Sequence, residues 1–101
     1  MKSKPIEHHP DARLEFVEAI EWYELHEAGL GERFQSALAQ AENFIRRNSQ
    51  LGTPHKFGTR KWPLKTFPYT LIYSDEPEAI VIFAVAHFAR RPDYWHHRVR
   101  G

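Results

Sequence analysis

The sequence feature that most restricts the fold is an uninterrupted apolar run near the C-terminus. Residues 79–86 read Ala-Ile-Val-Ile-Phe-Ala-Val-Ala, without a polar residue among them. The run is too short for a membrane-spanning helix, which needs roughly 18 apolar residues, and its β-branched content favours a strand. A strand that does not alternate between apolar and polar residues is covered on both faces. The chain or a partner must therefore cover both sides of the sheet to which this strand belongs.

Two amphipathic helices can cover one of these sides. Apolar residues recur at helical spacing over 12–23 and, more regularly, over 34–45. Pro10 suits the first turn of the first helix, which we expect to end near Glu27. The Gly-Leu-Gly sequence at 29–31 then breaks the helical pattern and predicts a tight turn of a helical hairpin.

Shorter segments complete the predicted sheet. Strand patterns occur at 60–65 and 69–74, and more weakly at 5–8, whereas the segment 49–59 has loop composition. We therefore predict an α+β fold of order β-α-α-β-β-β, with the helical hairpin on one face of an antiparallel sheet of three to four strands. A short C-terminal helix or tail should begin near Pro92. Either this C-terminal segment or a partner would cover the second face of the sheet.

Composition limits the functional classes. A chain of 101 residues with ordinary globular composition predicts a single domain over 1–101. It has no cysteine, which excludes thiol catalysis and thiolate metal sites. The histidine pairs at 8–9 and 96–97 diverge in direction as neighbours do, so we expect neither a metal site nor a cofactor. Without a membrane segment or a signal peptide, the expected location is the cytoplasm.

Charge is unevenly distributed along the chain. Residues 1–50 contain six Lys/Arg and nine Asp/Glu, whereas residues 51–101 contain eight Lys/Arg and four Asp/Glu. The C-terminal half is therefore the part that would attract an acidic partner or a phosphate backbone. In the N-terminal half, five glutamates recur every third residue along the first helix, at positions 15, 18, 21, 24 and 27. Because this spacing drifts around a helix, it predicts a solvated surface rather than paired catalytic carboxylates.

Short motifs in a fixed order resemble the RelE/ParE superfamily of toxins from bacterial toxin–antitoxin and plasmid-stabilisation modules. The motifs are AIEWYE at 19–24, GLGERF at 29–34, FPYTLIY at 67–73, AVAH at 84–87, and RPDYW at 91–95 followed by Arg98. The resemblance implies the same β-α-α-β-β-β fold as the periodicity predicts. It also implies a growth-inhibiting toxin that a cognate antitoxin neutralises. ParE-like members bind DNA gyrase, whereas RelE-like members cleave messenger RNA on the ribosome.

The residues offer partial support for ribonuclease chemistry. Metal-free RNA cleavage needs a base, an acid and cations that stabilise the developing negative charge. The candidates for these roles are Arg60, His87, Arg90 and Tyr94. Ribonuclease members resemble one another in having an arginine directly after the strand-opening tyrosine, but here Tyr69 is followed by Thr70. A hydroxyl does not replace a guanidinium at a phosphate, so this departure favours the ParE-like branch.

We therefore predict a ParE-like toxin without a catalytic residue. Its target and antitoxin surface would comprise the basic and aromatic residues Arg60, Trp62, His87, Arg90, Arg91, Tyr94, Trp95 and Arg98. Tyr94 and Trp95 should also pack over the uncovered sheet face. The antitoxin would place an acidic amphipathic segment in a groove or along a sheet edge. A ribosome-dependent ribonuclease and a family member without toxicity are the alternatives.

Overall fold

The computed structural model of the chain describes residues 4–99. Two long helices come early and four of the five strands follow. In chain order the elements are β1 (Ile6–His8), α1 (Pro10–His26), α2 (Leu30–Arg47), β2 (Thr53–Pro54), β3 (Arg60–Pro63), β4 (Tyr69–Asp75), β5 (Ile80–His87) and α3 (His96–Val99). The predicted α+β class and the predicted order of the helices and main strands are confirmed.

The sheet has one strand more than the upper limit predicted. Its spatial order is β1-β5-β4-β3-β2. The additional strand is β2, two residues long, which pairs with Arg60 and Lys61 in a region predicted to be a loop. The sheet is antiparallel except at β1, which pairs in parallel with the first residues of β5. A strand of two or three residues has no readable period, so its pairing and direction cannot be predicted from local spacing.

The helical hairpin packs on one face of this sheet and forms the main core. Phe34 of α2 lies at its centre, with its ring centroid 5.1–5.2 Å from those of Tyr23, Phe67 and Tyr69. Leu71 and Tyr73 of β4 are fully buried on the same side. Such tilted and edge-on aromatic contacts stabilise beyond the area that they bury. The core therefore joins the hairpin to the central strands.

The turn between α1 and α2 depends on two glycines and one carboxylate. Gly29 has φ +88°, the left-handed region that glycine adopts without strain. A Cβ at Gly31 would lie 2.6 Å from the carbonyl oxygen of Ile20, so only glycine allows this close approach of the helices. The Glu24 carboxylate accepts hydrogen bonds from the backbone N–H groups of both glycines. This places a negative charge at the positive end of α2.

The C-terminal segment covers part of the opposite sheet face. Trp95 is 3% exposed and packs on Ile72 of β4 and Ala84 of β5, with Tyr94 and Val99 beside it. This confirms the prediction that Tyr94 and Trp95 pack over the sheet. The expected helix start at Pro92 was wrong, because residues 92–95 form turns and α3 begins only at His96.

A loop contact holds the same segment from the other side. Asp93 and Phe57 both have positive φ angles, 60° and 63°, which are uncommon for residues with a side chain. The Phe57 ring stacks on His96 at 3.5 Å between centroids, and Lys56 Nζ lies 2.9 Å from Asp93 Oδ2. The left-handed Asp93 ends any helix that would start at Pro92, and the stack and the ion pair hold the turn in place.

Candidate functional site

One edge of β5 is completed by side chains rather than by a strand. β1 pairs only with Ile80–Ile82, and in the described part of the chain no strand continues along this edge. The Val85 N–H donates to Glu15 Oε1 at 3.0 Å, and Arg98 Nη1 donates to the Phe83 carbonyl oxygen at 3.0 Å. A carboxylate and a guanidinium thus satisfy main-chain groups that a neighbouring strand would otherwise bond.

Glu15 also joins α1 to the C-terminal segment. Its Oε2 accepts hydrogen bonds from the Tyr94 hydroxyl at 2.8 Å and from Arg98 Nη2 at 2.9 Å, and Arg90 Nη1 lies 3.9 Å away. The side chains of Glu15 and Arg98 are only 13% and 7% exposed. We call these four residues, Glu15, Arg90, Tyr94 and Arg98, the Glu15 cluster. It connects elements that lie about 80 residues apart in the sequence.

The prediction of a solvated surface was wrong for Glu15. A step of three residues drifts around the helix, so one member of the run points to the sheet while its neighbours at 18 and 21 remain exposed. The sequence did contain a signal for this. Ala12 and Ala19 lie three residues before and four residues after Glu15 and are buried, so Glu15 lies on the same side of α1. A glutamate on the core-facing side of a helix, between two buried alanines, indicates that its carboxylate has a buried partner.

The environment fixes the charge states within the cluster. Burial raises the pKa of the Tyr94 hydroxyl, and its hydrogen bond to the Glu15 carboxylate raises it further, so the phenol stays protonated at neutral pH. Burial opposes the charge of Arg98, but the Glu15 carboxylate outweighs this effect and raises the pKa of the guanidinium. The cluster therefore keeps a fixed ion pair with a neutral phenol bonded to it.

An open groove of about 490 Å³ lies beside the cluster. Trp22 and Tyr23 of α1 line one wall, and Tyr69, His87 and Arg90 line the other. His87 Nδ1 accepts the backbone N–H of Ala89 at 3.0 Å, so the neutral ring carries its proton on Nε2. The Arg90 guanidinium stacks over the Tyr94 ring at 3.8 Å. The groove thus combines aromatic walls with a histidine and a cation.

The structure does not bring the four candidate ribonuclease residues together. Arg60 pairs in register with Tyr73, whereas His87 pairs with Tyr69, four residues away along β4, or about 13 Å at strand spacing. The Arg60 guanidinium instead donates to the carbonyl oxygens of Gln50 and Gly52, at 3.0 and 2.8 Å. His87, Arg90 and Tyr94 do lie at one end of the sheet.

Only some of the residues predicted to form the target and antitoxin surface are exposed. Arg90 and Arg91 are exposed, and His87 is half-buried in the groove. Trp95 and Arg98, however, are buried, because they cover the sheet and complete the edge of β5. Trp62 stacks on Phe44 of α2 at 4.9 Å, on the helix side of the sheet. The eight predicted residues therefore belong to different faces, and two of them support the surface from beneath.

Metal-ligating side chains are dispersed over residues 4–99, and no group of three or more His, Cys, Asp or Glu side chains in this range could hold a metal ion. His8 instead contacts Glu42, with 2.7 Å between Nε2 and Oε2. Within the same range, no helix is long and apolar enough to cross a membrane.

Comparison with known proteins identifies the family. A chain of the solved structure "Chromosomal ParDE TA system from P. aeruginosa" has the same fold, with a TM-score of 0.70, 13% sequence identity, and coverage of 84% of this chain and 96% of that chain. No curated protein sequence matches. The family model "ParE toxin of type II toxin-antitoxin system, parDE" matches residues 6–92. The chain thus belongs to the ParE toxin family of type II toxin–antitoxin systems.

Proposed function

We propose that this chain inhibits growth by binding DNA gyrase in the cytoplasm and that a cognate antitoxin neutralises it. Family membership over residues 6–92 supports the toxin role. The sequence resemblance to ParE-like members supports gyrase as the target, and the structural similarity to a ParDE toxin–antitoxin system supports an antitoxin partner.

One geometric observation favours binding over RNA cleavage. Arg60 is separated from the other three candidate residues, since it bonds loop carbonyls at the far end of the sheet, and the Tyr94 hydroxyl is bonded to Glu15. Burial and the Glu15 contact raise the Tyr94 pKa, so this phenol does not release its proton readily. A cleavage site would need these groups to converge on one phosphate.

The surface that supports binding is the end of the sheet around Arg90 and Arg91. Both arginines are exposed, and Arg90 is held over the Tyr94 ring. The Glu15 carboxylate lies 3.9 Å from Arg90 Nη1 and also helps to hold it. A cation held in this way loses little entropy when it binds an acidic protein surface. Arg90 and Arg91 would contact gyrase, or an acidic segment of the antitoxin that competes with it.

Purified components would test this proposal. We expect the wild-type chain to inhibit supercoiling by purified gyrase and to leave ribosome-bound messenger RNA intact. Arg91→Glu should weaken inhibition by at least about tenfold, because it reverses an exposed charge at the proposed contact. Arg47→Glu is a matched control, since Arg47 is also exposed but lies at the end of α2. Inhibition that responds equally to both variants would contradict the proposed surface.

The ribonuclease alternative rests on His87, which lines the groove together with Arg90. If it is correct, induced expression should yield cleaved transcripts, and His87→Ala should abolish cleavage without unfolding the protein. Growth arrest with a DNA-damage response and intact transcripts would support gyrase. No arrest under verified expression would indicate the non-toxic alternative.

A further inference from the structure

The loop between β2 and β3 holds the C-terminal segment through aromatic contacts. The Phe57 ring stacks on His96 at 3.5 Å between centroids, with 8° between the ring planes. Phe57 and His55 also approach Trp95, at 5.9 and 5.7 Å between ring centroids. Trp95 is the residue that covers the outer face of the sheet. The loop is thus a second attachment of this cover, separate from the Glu15 cluster.

Hydrogen bonds within the loop hold it in one shape. The His55 N–H donates to the Thr59 carbonyl oxygen at 2.8 Å, and the Thr59 hydroxyl donates to the Lys56 carbonyl oxygen at 2.6 Å. Between these bonds lies Phe57, with φ +63°. A residue with a side chain keeps such a left-handed conformation only where surrounding contacts impose it. The stack on His96 is such a contact, so the loop and the C-terminal segment fix each other.

The charges around the His55 ring disfavour a proton on it. Lys56 and Lys61 lie near the ring, and the carboxylate of Asp93 is already bonded to Lys56 Nζ at 2.9 Å. Burial lowers the pKa of the His55 imidazole, Lys61 and Lys56 lower it further, and Asp93 offsets only part of this effect. The ring is therefore neutral in the closed contact at neutral pH.

His96, the second imidazole of the contact, has different surroundings. It is exposed, and its ring lies on Phe57 and near the Asp93 carboxylate. A positive charge there is attracted by both the ring face and the carboxylate. Protonation of His96 therefore favours the closed contact, and His55 is the imidazole whose charge opposes it.

We propose that this contact is a pH-sensitive clamp, which holds Trp95 on the sheet while His55 is neutral and loosens when His55 gains a proton. We call it the His55 clamp, and it comprises His55, Lys56, Phe57, Asp93 and His96. A proton on His55 adds a third cation beside Lys56 and Lys61. The proposal does not depend on gyrase as the target.

Linkage gives the direction of the pH effect. Because the pKa of His55 is lowered in the closed state, the closed state binds fewer protons than the open one. The contribution of the clamp is therefore complete above the ordinary imidazole pKa of 6.5 and is lost as pH falls. The ion pair between Glu15 and Arg98 contains no imidazole, so we expect that end of the segment to stay attached.

Thiol labelling of the covered sheet face tests the clamp, because the chain has no cysteine of its own. Ile72→Cys places one thiol beneath Trp95. Its labelling rate with a dipyridyl disulfide is divided by the rate of the same variant unfolded in urea at the same pH. Each pH unit by which the pKa of His55 differs between closed and open states changes the opening equilibrium about tenfold. We therefore expect the normalised rate to rise at least about threefold between about pH 7.5 and about pH 5.

Leu71→Cys is the matched control for global unfolding. Leu71 neighbours Ile72 in β4 but is buried on the helix side of the sheet. Only global unfolding exposes a thiol there, so at either pH it should react at least about tenfold more slowly than the thiol of Ile72→Cys. Equal rates of the two thiol variants would show that no local opening takes place, and the clamp would be overturned.

Substitutions in the Ile72→Cys chain identify the titrating group. His55→Gln and His55→Phe both lack the ionisable ring and should remove most of the rise, and His55→Phe also keeps a ring beside Trp95. His97→Gln should preserve the rise, since His97 is an exposed histidine of the same segment. A rise that persists in both His55 variants would overturn the proposal. So would a rate that is unchanged or lower at about pH 5, because a charged ring would then not loosen the contact.

A measurement on the unaltered chain does not depend on the folding of any variant. In a nuclear magnetic resonance titration, the Trp95 side-chain resonances should shift with the same midpoint as the His55 imidazole, below its ordinary pKa of 6.5. Trp95 resonances that stay constant while His55 titrates would contradict the clamp.

Discussion

Two apolar surfaces of this protein lie away from the main core, and the chain covers only one of them with its own residues. The outer face of the sheet, at Ile72 and Ala84, is covered by the protein's own Trp95. The exposed apolar side of α1, which comprises Leu14, Val17, Trp22 and Leu25 and which we call the α1 face, is not covered in this way. The glutamates of α1 differ in the same way, since Glu15 bonds Tyr94 and Arg98, whereas the side chains of Glu18 and Glu21 have no ion pair or hydrogen bond among residues 4–99.

The difference shows how a very short segment can cover a sheet. α3 has four residues and buries too little apolar area to hold itself in place. Hydrogen bonds that Arg98 donates to the Phe83 carbonyl oxygen and to the Glu15 carboxylate add the missing attachment. The sheet surface is therefore closed within the chain and contributes to stability, whereas no segment among residues 4–99 covers the α1 face.

Among the substitutions considered, removal of the Trp95 side chain should have the largest effect on the free energy of unfolding. Trp95→Ala deletes the side chain that covers Ile72 and Ala84 and should lower the free energy of unfolding by about 3–5 kcal/mol. Urea denaturation followed by circular dichroism measures this change. A loss below about 1 kcal/mol would mean that the C-terminal segment does not close the sheet face.

Breaking the buried ion pair between Glu15 and Arg98 should have the second largest effect on the free energy of unfolding. Glu15→Ala leaves the Arg98 guanidinium buried without its carboxylate and should lower the free energy of unfolding by about 3 kcal/mol. The double variant Glu15→Leu/Arg98→Met removes both charges and should cost less than Glu15→Ala alone. A loss for the double variant equal to the sum of the losses of the two single variants would show that the charges are not coupled.

Tyr94→Phe should have a smaller effect that depends on pH. Loss of the hydroxyl that donates to Glu15 should lower the free energy of unfolding by about 1 kcal/mol at neutral pH. Because the folded-state pKa of Tyr94 is raised above its ordinary value of 10.0, its contribution is complete below that pH and is lost as pH rises. The variant should therefore lose stability less steeply than the wild type above pH 10, by up to about 1.4 kcal/mol per pH unit. If the free energy of unfolding fell equally steeply with pH above pH 10 in both proteins, the result would contradict a raised pKa of Tyr94.

Substitutions on the α1 face should have the smallest effect on stability. Leu25→Ser and Leu14→Ser change exposed side chains and should alter the free energy of unfolding by no more than about 0.5 kcal/mol. The melting temperature of the isolated protein, measured beside Trp95→Ala, provides the comparison. A loss similar to that of Trp95→Ala would show that the α1 face is part of the folding core.

Much of the fold could be predicted from the sequence because its signals are local. The helical spacing around Phe34, the glycines of the hairpin turn and the apolar run at 79–86 each depend on neighbouring residues. The same signals failed at β2 and α3, which are two and four residues long and too short to show a period. At α3 the left-handed Asp93 also depends on contacts with a distant loop.

The candidate site was predictable only in part for a related reason. His87 and Arg90 could be placed at the end of the last strand from their motif, but the displacement of Arg60 to the other end of the sheet depends on strand register. Register depends on how neighbouring strands pair, and the spacing of residues within one strand does not specify it.

The sequence by itself determined the types and order of the main elements and the apolar strand that needs cover on two sides. The tertiary structure decided which residues provide that cover. β1 pairs in parallel with only the first part of β5, and this leaves an edge that Glu15 and Arg98 complete from positions 83 residues apart. Local periodicity reports the conformation of a segment and its apolar side, whereas the partner of a buried charge depends on long-range packing.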